Sequence, residues 1–258
     1  MINKTDITYV ANAGVLLSFD GKKILIDALC DSRLPIYKNT SADICNKIIK
    51  GIAPYDNIDL MLITHNHGDH FDAKMIGRFL EQNYDTLVIS TDRVVSELRS
   101  CIFDPKDPRL IEVNPQLYCA ERIRIKGIDI QAISMAHDGK EYSDVKNLAF
   151  LIEYGRTILH VGDAAPTKNN YQALKGGQYN IDLLIANFPY VGLPVARQIV
   201  KDYIDPGKIA VVHLPIKEHD RFNWIPSTKK SYERVKESFY QTEFLEEVGL
   251  TINMLLGA

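Results

Sequence analysis

The sequence predicts an α/β fold built from two similar halves, and three observations carry that prediction. Strand-like apolar runs alternate along the chain with amphipathic helical segments. Several runs, such as Ile58 to Ile63, are apolar without a break, as in strands covered on both faces. Two pairs of runs read as tight hairpins that align with one another, which suggests two sheets inside and helices outside.

The strand-like runs fall at 7–10, 14–19, 22–27, 58–64, 86–90, 128–134, 148–154, 157–161, 181–187 and 208–213. Helical segments are expected at about 41–50, 71–83, 92–101, 193–204 and 228–240. In the last of these, Tyr232, Val235 and Phe239 share one face while Lys, Arg and Glu occupy the other. The first hairpin runs from Leu16-Leu17-Ser18-Phe19 through Asp20-Gly21, a strong type I′ signal, into Lys22 to Asp27. The second runs from Phe150 to Glu153 through Tyr154-Gly155 into Arg156 to Leu159. Aligning Gly21 with Gly155 also aligns Leu17 with Leu151, Ile24 with Ile158 and Leu25 with Leu159. No Gly/Ser-rich or Pro-rich linker and no low-complexity tract interrupts residues 1–258, which predicts one domain.

The composition, 46% apolar and 24% charged, is that of an ordinary globular protein and not of a disordered chain. The net charge of -3 gives no electrostatic case for nucleic acid. The start, Met1-Ile2-Asn3-Lys4-Thr5-Asp6, lacks the apolar stretch of a secretory leader, and no run reaches the length of a membrane span. Cys30, Cys45, Cys101 and Cys119 show no short ligand spacing and read as reduced thiols, which favours the cytoplasm. The sequence allows a homo-oligomer and does not specify one.

The chemistry concentrates in His65-Asn66-His67-Gly68-Asp69-His70, which holds three of the chain's seven histidines. An apolar strand, Leu60 to Thr64, delivers this loop, and a helical pattern follows from Phe71. In an extended chain His65 and His67 point to the same side, so both imidazoles reach one ion. Gly68 permits a turn that swings Asp69 and His70 toward a second point. Imidazole nitrogen and carboxylate oxygen at this density suit zinc or a similar first-row ion.

A pair of ions needs more ligands than one loop supplies. His137, Asp163 and His213 each end an apolar run, as the first motif does. Taken singly, such residues are more often core or turn residues. Their shared pattern of strand followed by ligand favours ligation. His160 aligns with apolar Ile26 and reads as buried support, whereas His219 reads equally as a surface residue or a substrate contact.

The order HxHxDH, His, Gly-Asp, His, spanning Asp27 to His213, resembles the metallo-β-lactamase superfamily. That resemblance implies a four-layer αββα sandwich with two metal ions at one edge. It implies that His65, His67 and His137 hold the first ion, that Asp69, His70 and His213 hold the second, and that Asp163 bridges them. Asp27 matches a family position that supports the site without ligating. Zinc is the default, and manganese or iron suits the same ligands. The resemblance further implies a hydroxide between the ions as nucleophile, oriented by Asp69, because coordination lowers the pKa of water to about 7.

Asp163 stands where true β-lactamases carry cysteine, and His67 stands where flavin-linked di-iron reductases carry an acid. The compact branch of ascorbate-6-phosphate lactonase-like hydrolases is most similar, through Tyr9 to Gly14, Ala136-His137-Asp138-Gly139 and Leu159 to Asp163. The expected function is hydrolysis of a small ester, lactone or phosphoester. A phosphodiesterase for nucleotides and a non-catalytic binding protein are the alternatives. Asn187-Phe188-Pro189-Tyr190, Phe222 and Trp224 are pocket candidates for an apolar body, and Lys140, Lys217 or Arg221 for an anion.

Overall fold

The computed structural model describes residues 4–174 and 179–255. Met1, Ile2 and Asn3, which enter the reading of the N-terminus above, lie outside them. The chain divides into two compact units, one of Met1–Leu34, Lys38–Asn114 and Glu247–Ala258, the other of Pro35–Tyr37 and Pro115–Glu246.

In the first unit, with strands numbered along the chain, β1 is Lys4–Ala11, β2 Gly14–Phe19, β3 Lys22–Ile26, β4 Leu60–Leu62, β5 Leu87–Ser90, β6 Leu110–Glu112 and β14 Thr251–Leu255. They form one sheet in the order β14-β1-β2-β3-β4-β5-β6. The pairings from β14 to β3 are antiparallel and those from β3 to β6 are parallel. The switch comes after the Asp20-Gly21 turn, where Phe19 pairs with Lys22 and Gly21 takes φ +79°.

Each parallel step then needs a crossover, supplied by helices α1 (Ala42–Ile49), α2 (Ala73–Leu80) and α3 (Asp92–Arg99). Their starts are fixed by side-chain caps: Ser41, Asp72 and Thr91 accept the amide hydrogens of Ile44, Met75 and Val94. Ile48, Phe79 and Leu98 from these helices pack with Leu16, Leu25, Met61 and Val88 of the sheet. Full burial of such side chains contributes about 1.5–3 kcal/mol each. Leu17, Ile24, Leu62 and Ile89 are also fully buried, so both faces of the central strands are shielded from water.

The second unit contains β7 (Ala120–Ile125), β8 (Ile128–Ala136), β9 (Lys146–Glu153), β10 (Thr157–His160), β11 (Leu183–Asn187), β12 (Lys208–Val212) and β13 (Thr242–Phe244), in the order β13-β12-β11-β10-β9-β8-β7. Again four strands pair antiparallel, β7 to β10, and the rest continue in parallel to β13. The helices are α4 (Lys168–Tyr171), α5 (Pro189–Gly192), α6 (Pro194–Ile199), which runs on into a π-helical turn at Val200–Ile204, and α7 (Trp224–Glu233). Leu151, Leu159, Leu184 and Val211 of the sheet share a core with Tyr190, Ile199 and Val200.

Two details differ from the sequence reading. The second hairpin has a three-residue turn, with Glu153 paired to Thr157, so Leu151 faces Leu159 whereas Leu17 faces Ile24. The alignment through the glycines therefore matches the strands but is one register out across the turn. The last helix starts at Trp224 instead of about 228, because the Asp220 carboxylate accepts the amide hydrogens of Trp224 at 2.8 Å and Ile225 at 2.9 Å. Pro226 is tolerated within that first turn, where its missing N–H has no helical partner to lose. The helix ends at Glu233, and Phe239 lies on extended backbone while still packing against the core. Among the described residues no helix is long and apolar enough to cross a membrane.

Candidate metal centre

In the first unit the end of β4 meets the end of β3. Asp27 follows β3 in the left-handed region, at φ +45°, a conformation short polar side chains tolerate. Its carboxylate is buried and fully engaged: Oδ1 accepts from the Thr64 amide at 2.9 Å, and Oδ2 accepts from Thr64 Oγ1 at 2.6 Å. His70 Nδ1 lies 2.8 Å from the same Oδ2. Gly14 makes room for this turn, since a Cβ there would sit 2.6 Å from the Asp27 carbonyl.

These contacts fix proton positions. The Thr64 hydroxyl spends its one hydrogen on Asp27, so it accepts from His65 Nδ1, 2.9 Å away. His70 Nδ1 likewise donates to the carboxylate. Both rings therefore carry hydrogen on Nδ1 and a lone pair on Nε2, the tautomer in which a metal-binding histidine is commonly held from behind.

Beyond Thr64 the chain turns sharply, the amides of His70 and Phe71 both donating to the His67 carbonyl at 3.0 and 2.9 Å. Gly68 does not take a positive φ; it serves by close approach, because a Cβ would lie 3.0 Å from the Asp31 carbonyl. The His65 and His67 rings are 4.6 Å apart, and His65 Nε2 is 3.1 Å from His67 Nδ1. His70 lies 4.2 Å from His65 by ring centre, and its Nε2 is 3.6 Å from Asp69 Oδ2. Asn12, fully buried, donates its amide to that same Oδ2 at 2.9 Å and fixes the carboxylate.

The second unit assembles its cluster from three strand ends. His137 follows β8, Asp163 follows β10 through Gly162 at φ +56°, and His213 follows β12 at φ +57°. Nε2 of His137 and of His213 lie 3.6 and 3.4 Å from Asp163 Oδ2. His137 Nδ1 donates to the Asp138 carbonyl at 2.5 Å, which again leaves the lone pair on Nε2.

Buried amides hold these ends in register. Asn147 accepts from the Asp163 amide at 2.9 Å and donates to the Val161 carbonyl at 3.1 Å. Asn170 bonds the Ala136 amide and the carbonyls of Ala136 and Ala165, tying the residue before His137 to the loop after Asp163. Behind them the Tyr190 hydroxyl donates to the Ala164 carbonyl at 2.7 Å and touches the Tyr171 hydroxyl. Burial pushes both phenols well above their ordinary range, so they act as neutral struts.

The spacings have a common meaning. Two nitrogens bound to one tetrahedral zinc at about 2.0–2.1 Å lie roughly 3.3 Å apart. The gaps of 3.1 to 3.6 Å within each cluster are edges of that size. The donors are imidazole nitrogens and carboxylate oxygens, with lone pairs turned away from their supporting hydrogen bonds. Each unit thus carries a buried His/Asp cluster chemically suited to a divalent first-row metal.

His160 is buried in a supporting position, its Nδ1 accepting from the Gly162 amide at 3.2 Å, whereas His219 is exposed. Asn187, Phe188, Pro189 and Trp224 line cavities beside the second cluster, but Tyr190 is wholly buried behind it. Lys140, Lys217 and Arg221 are exposed and line neither cavity. Tyr37 and Tyr142 stand edge-on to His213 and His137, each at 5.0 Å. Neither they nor Asn12, Asn147 and Asn170 stood out in the sequence, because a single Asn or Tyr carries no spacing signal.

A family model described as a beta-lactamase superfamily domain matches residues 6–201. The chain belongs to the β-lactamase superfamily. Its two mixed sheets with flanking helices have the metallo-β-lactamase α/β sandwich fold. No curated protein matches the chain. Among solved structures, this superfamily member is similar to Igni18, a metallo hydrolase from Ignicoccus hospitalis, with 15% identity and a TM-score of 0.65 over 98% of this chain and 100% of that one. It is similar to the isothiocyanate hydrolase from Delia radicum gut bacteria, with 17% identity and a TM-score of 0.65 over 97% of this chain and 100% of that one. It also resembles CmlA, a diiron β-hydroxylase from Streptomyces venezuelae, with 15% identity and a TM-score of 0.63 over 99% of this chain and 55% of that one. At such identities the likeness speaks to fold, and the fold hosts more than one chemistry.

Proposed function

We propose that this chain is a metal-dependent hydrolase in which the two clusters together hold a pair of divalent cations. On the family resemblance, His65, His67 and His137 would hold one, Asp69, His70 and His213 the other, and Asp163 would be shared. The observation that carries this reading is the tautomer lock: His65, His70 and His137 each give the Nδ1 hydrogen to an oxygen acceptor and keep the lone pair on Nε2. By contrast His160, in its supporting position, accepts the Gly162 amide hydrogen at Nδ1, which leaves its own hydrogen on Nε2.

Bound divalent cations supply activated water near neutral pH and polarise a carbonyl or phosphoryl oxygen. The chain's own residues do the rest. Asp69, steadied by Asn12, orients the attacking water. Asp27 and Thr64 hold two imidazoles in place before any ligand arrives, which is the preorganisation catalysis requires. The substrate class is a small ester, lactone or phosphoester, in keeping with the compact lactonase-like branch that the sequence resembles, and nucleic acid is not the partner. Zinc is the first metal to test, and iron the second, since a diiron protein shares the fold. The free thiols of Cys30, Cys45, Cys101 and Cys119 accord with a reducing, cytoplasmic setting.

The test is metal analysis of the purified protein, then chelation and reloading with zinc, manganese or iron, joined to a screen of esters, lactones and phosphodiesters. About two equivalents of metal, with hydrolysis lost on chelation and restored on reloading, is the expected result. A protein that binds no metal after reloading, or whose hydrolysis survives chelation, overturns the reading.

A further inference from the structure

Two cavities meet beside the His137–Asp163–His213 cluster. The smaller, about 160 Å³, is lined by those three residues together with Tyr37, Tyr142 and Asn187. The larger, about 440 Å³, is lined by Gly192, Leu193, Ser227 and Thr228. Asp138, Phe188, Pro189 and Trp224 line both, so the two form one space with a polar end and an apolar end. Its larger part has the size of a small-molecule site.

The apolar wall has a definite shape. Phe188 stacks on Trp224 at 5.4 Å and 28°, and Phe222 stacks on Trp224 at 5.0 Å and 25°. Leu193 is 54% exposed, Phe222 66% and Trp224 36%, so this rim leaves apolar surface in water that a bound ligand would cover. Flat ring faces of this kind favour another flat apolar group. The only charged side chain at the junction of the two parts, among the described lining residues, is the Asp138 carboxylate, which repels anions.

We infer that the substrate is an ester or lactone whose body is a flat, uncharged apolar group of roughly one or two rings, seated against Phe188 and Trp224 with its carbonyl at the polar end. This rests on the hydrolase reading and narrows it to substrates with an uncharged body. In the reaction, the oxygen of water bonds to the acyl carbon, the bond from that carbon to the alcohol oxygen breaks, and the departing alcohol takes up a proton.

Trp224 is the chain's single tryptophan, so its fluorescence reports on the cavity without any metal. Metal-free protein is titrated with 4-nitrobenzyl alcohol and with 4-nitrobenzoate, which differ in charge and share a ring. Saturable quenching by the alcohol, with the anion roughly tenfold weaker, is expected, and Asp138→Asn should narrow that gap. Unsaturable quenching by both, or equal affinity, overturns the inference.

Metal-loaded protein is then assayed on benzyl acetate and methyl acetate. The kcat/KM ratio of benzyl to methyl should exceed roughly ten and fall about tenfold in Trp224→Ala. Leu193→Asp, on the exposed rim and retaining Trp224, should show the same fall and guards against a folding defect. A ratio near one, or a ratio unmoved in both variants, overturns the inference. Failure to cleave any ester or phosphodiester counts against the hydrolase reading instead, and the quenching titration still judges the cavity.

Discussion

The two units share a pattern of four antiparallel strands continued by parallel ones, but present their proposed metal ligands in opposite ways. In the first, one loop after β4 carries His65, His67, Asp69 and His70, and support comes from Asp27 and Thr64 at the neighbouring strand ends. In the second, His137, Asp163 and His213 stand on three separate strand ends, held in register by Asn147 and Asn170. A dense loop needs its rings aimed, and charge-assisted hydrogen bonds do that. A dispersed set needs its backbone aligned, and buried amides with both a donor and an acceptor do that.

The largest effect expected from breaking this arrangement is at Asp163, the one residue assigned to both ions. Asp163→Ala should lose metal and hydrolysis together; full metal content with full activity would refute the ligand assignment. In the first unit, Asp27→Asn keeps every proposed ligand but weakens the lock on His70 and Thr64. Metal affinity should drop about 10–100-fold, measured by competition with a chelator; an unchanged affinity would mean that Asp27 serves only the fold. In the second unit, Asn147→Leu removes partners from the buried Asp163 amide and Val161 carbonyl. The cost should appear first in stability, about 1–3 kcal/mol for each group left unsatisfied. A urea midpoint equal to that of the parent would deny the contrast between the units.

The smallest effect lies outside the candidate site. Arg109 binds Asp107 and also reaches the carbonyls of Leu80, at the end of α2, and Asn83 just after it. Its hydrogen bonds hold the Asp107 carboxyl below the usual range. Because the folded value is depressed, the stabilisation is present above the unfolded value of about 3.9 and fades as pH falls through the folded one. Asp107→Asn should therefore cost at most about 1 kcal/mol at pH 7, after screening by solvent. The difference should shrink as pH falls below the unfolded value, in paired urea titrations. A gap that persists in acid would assign the effect to packing.

The contrast between the units also explains what could be read in advance. The strands β1, β2, β3, β4, β5, β8, β9, β10, β11 and β12 stand out because most of their residues are buried and their sequences are rich in apolar residues, as in β4 (LML) and β11 (LLIAN). The edge strands β6, β7, β13 and β14 do not: Ala120 to Ile125 reads AERIRI and is largely exposed, as edge strands tend to be when charge guards them from unwanted pairing. The His65–His70 loop is legible because its ligands are adjacent in sequence. His137, Asp163 and His213 become legible only through the repeated pattern of strand followed by ligand. Trp224 escaped its helix because the capping carboxylate, Asp220, lies four residues upstream with a left-handed Asn223 between them.

By itself the sequence determined the alternation of elements, the hairpin at Gly21, the candidate metal-binding loop and the family, since all of these are written in local order and short spacings. The tertiary structure alone decided proton positions and pocket chemistry. The tautomer of His65 depends on Thr64 and on Asp27, 37 residues before that threonine, and the apolar wall joins Phe188 to Trp224 across two helices. Hydrogen bonds and stacking act over a few ångströms of space, and only the folded chain brings such distant residues within that reach.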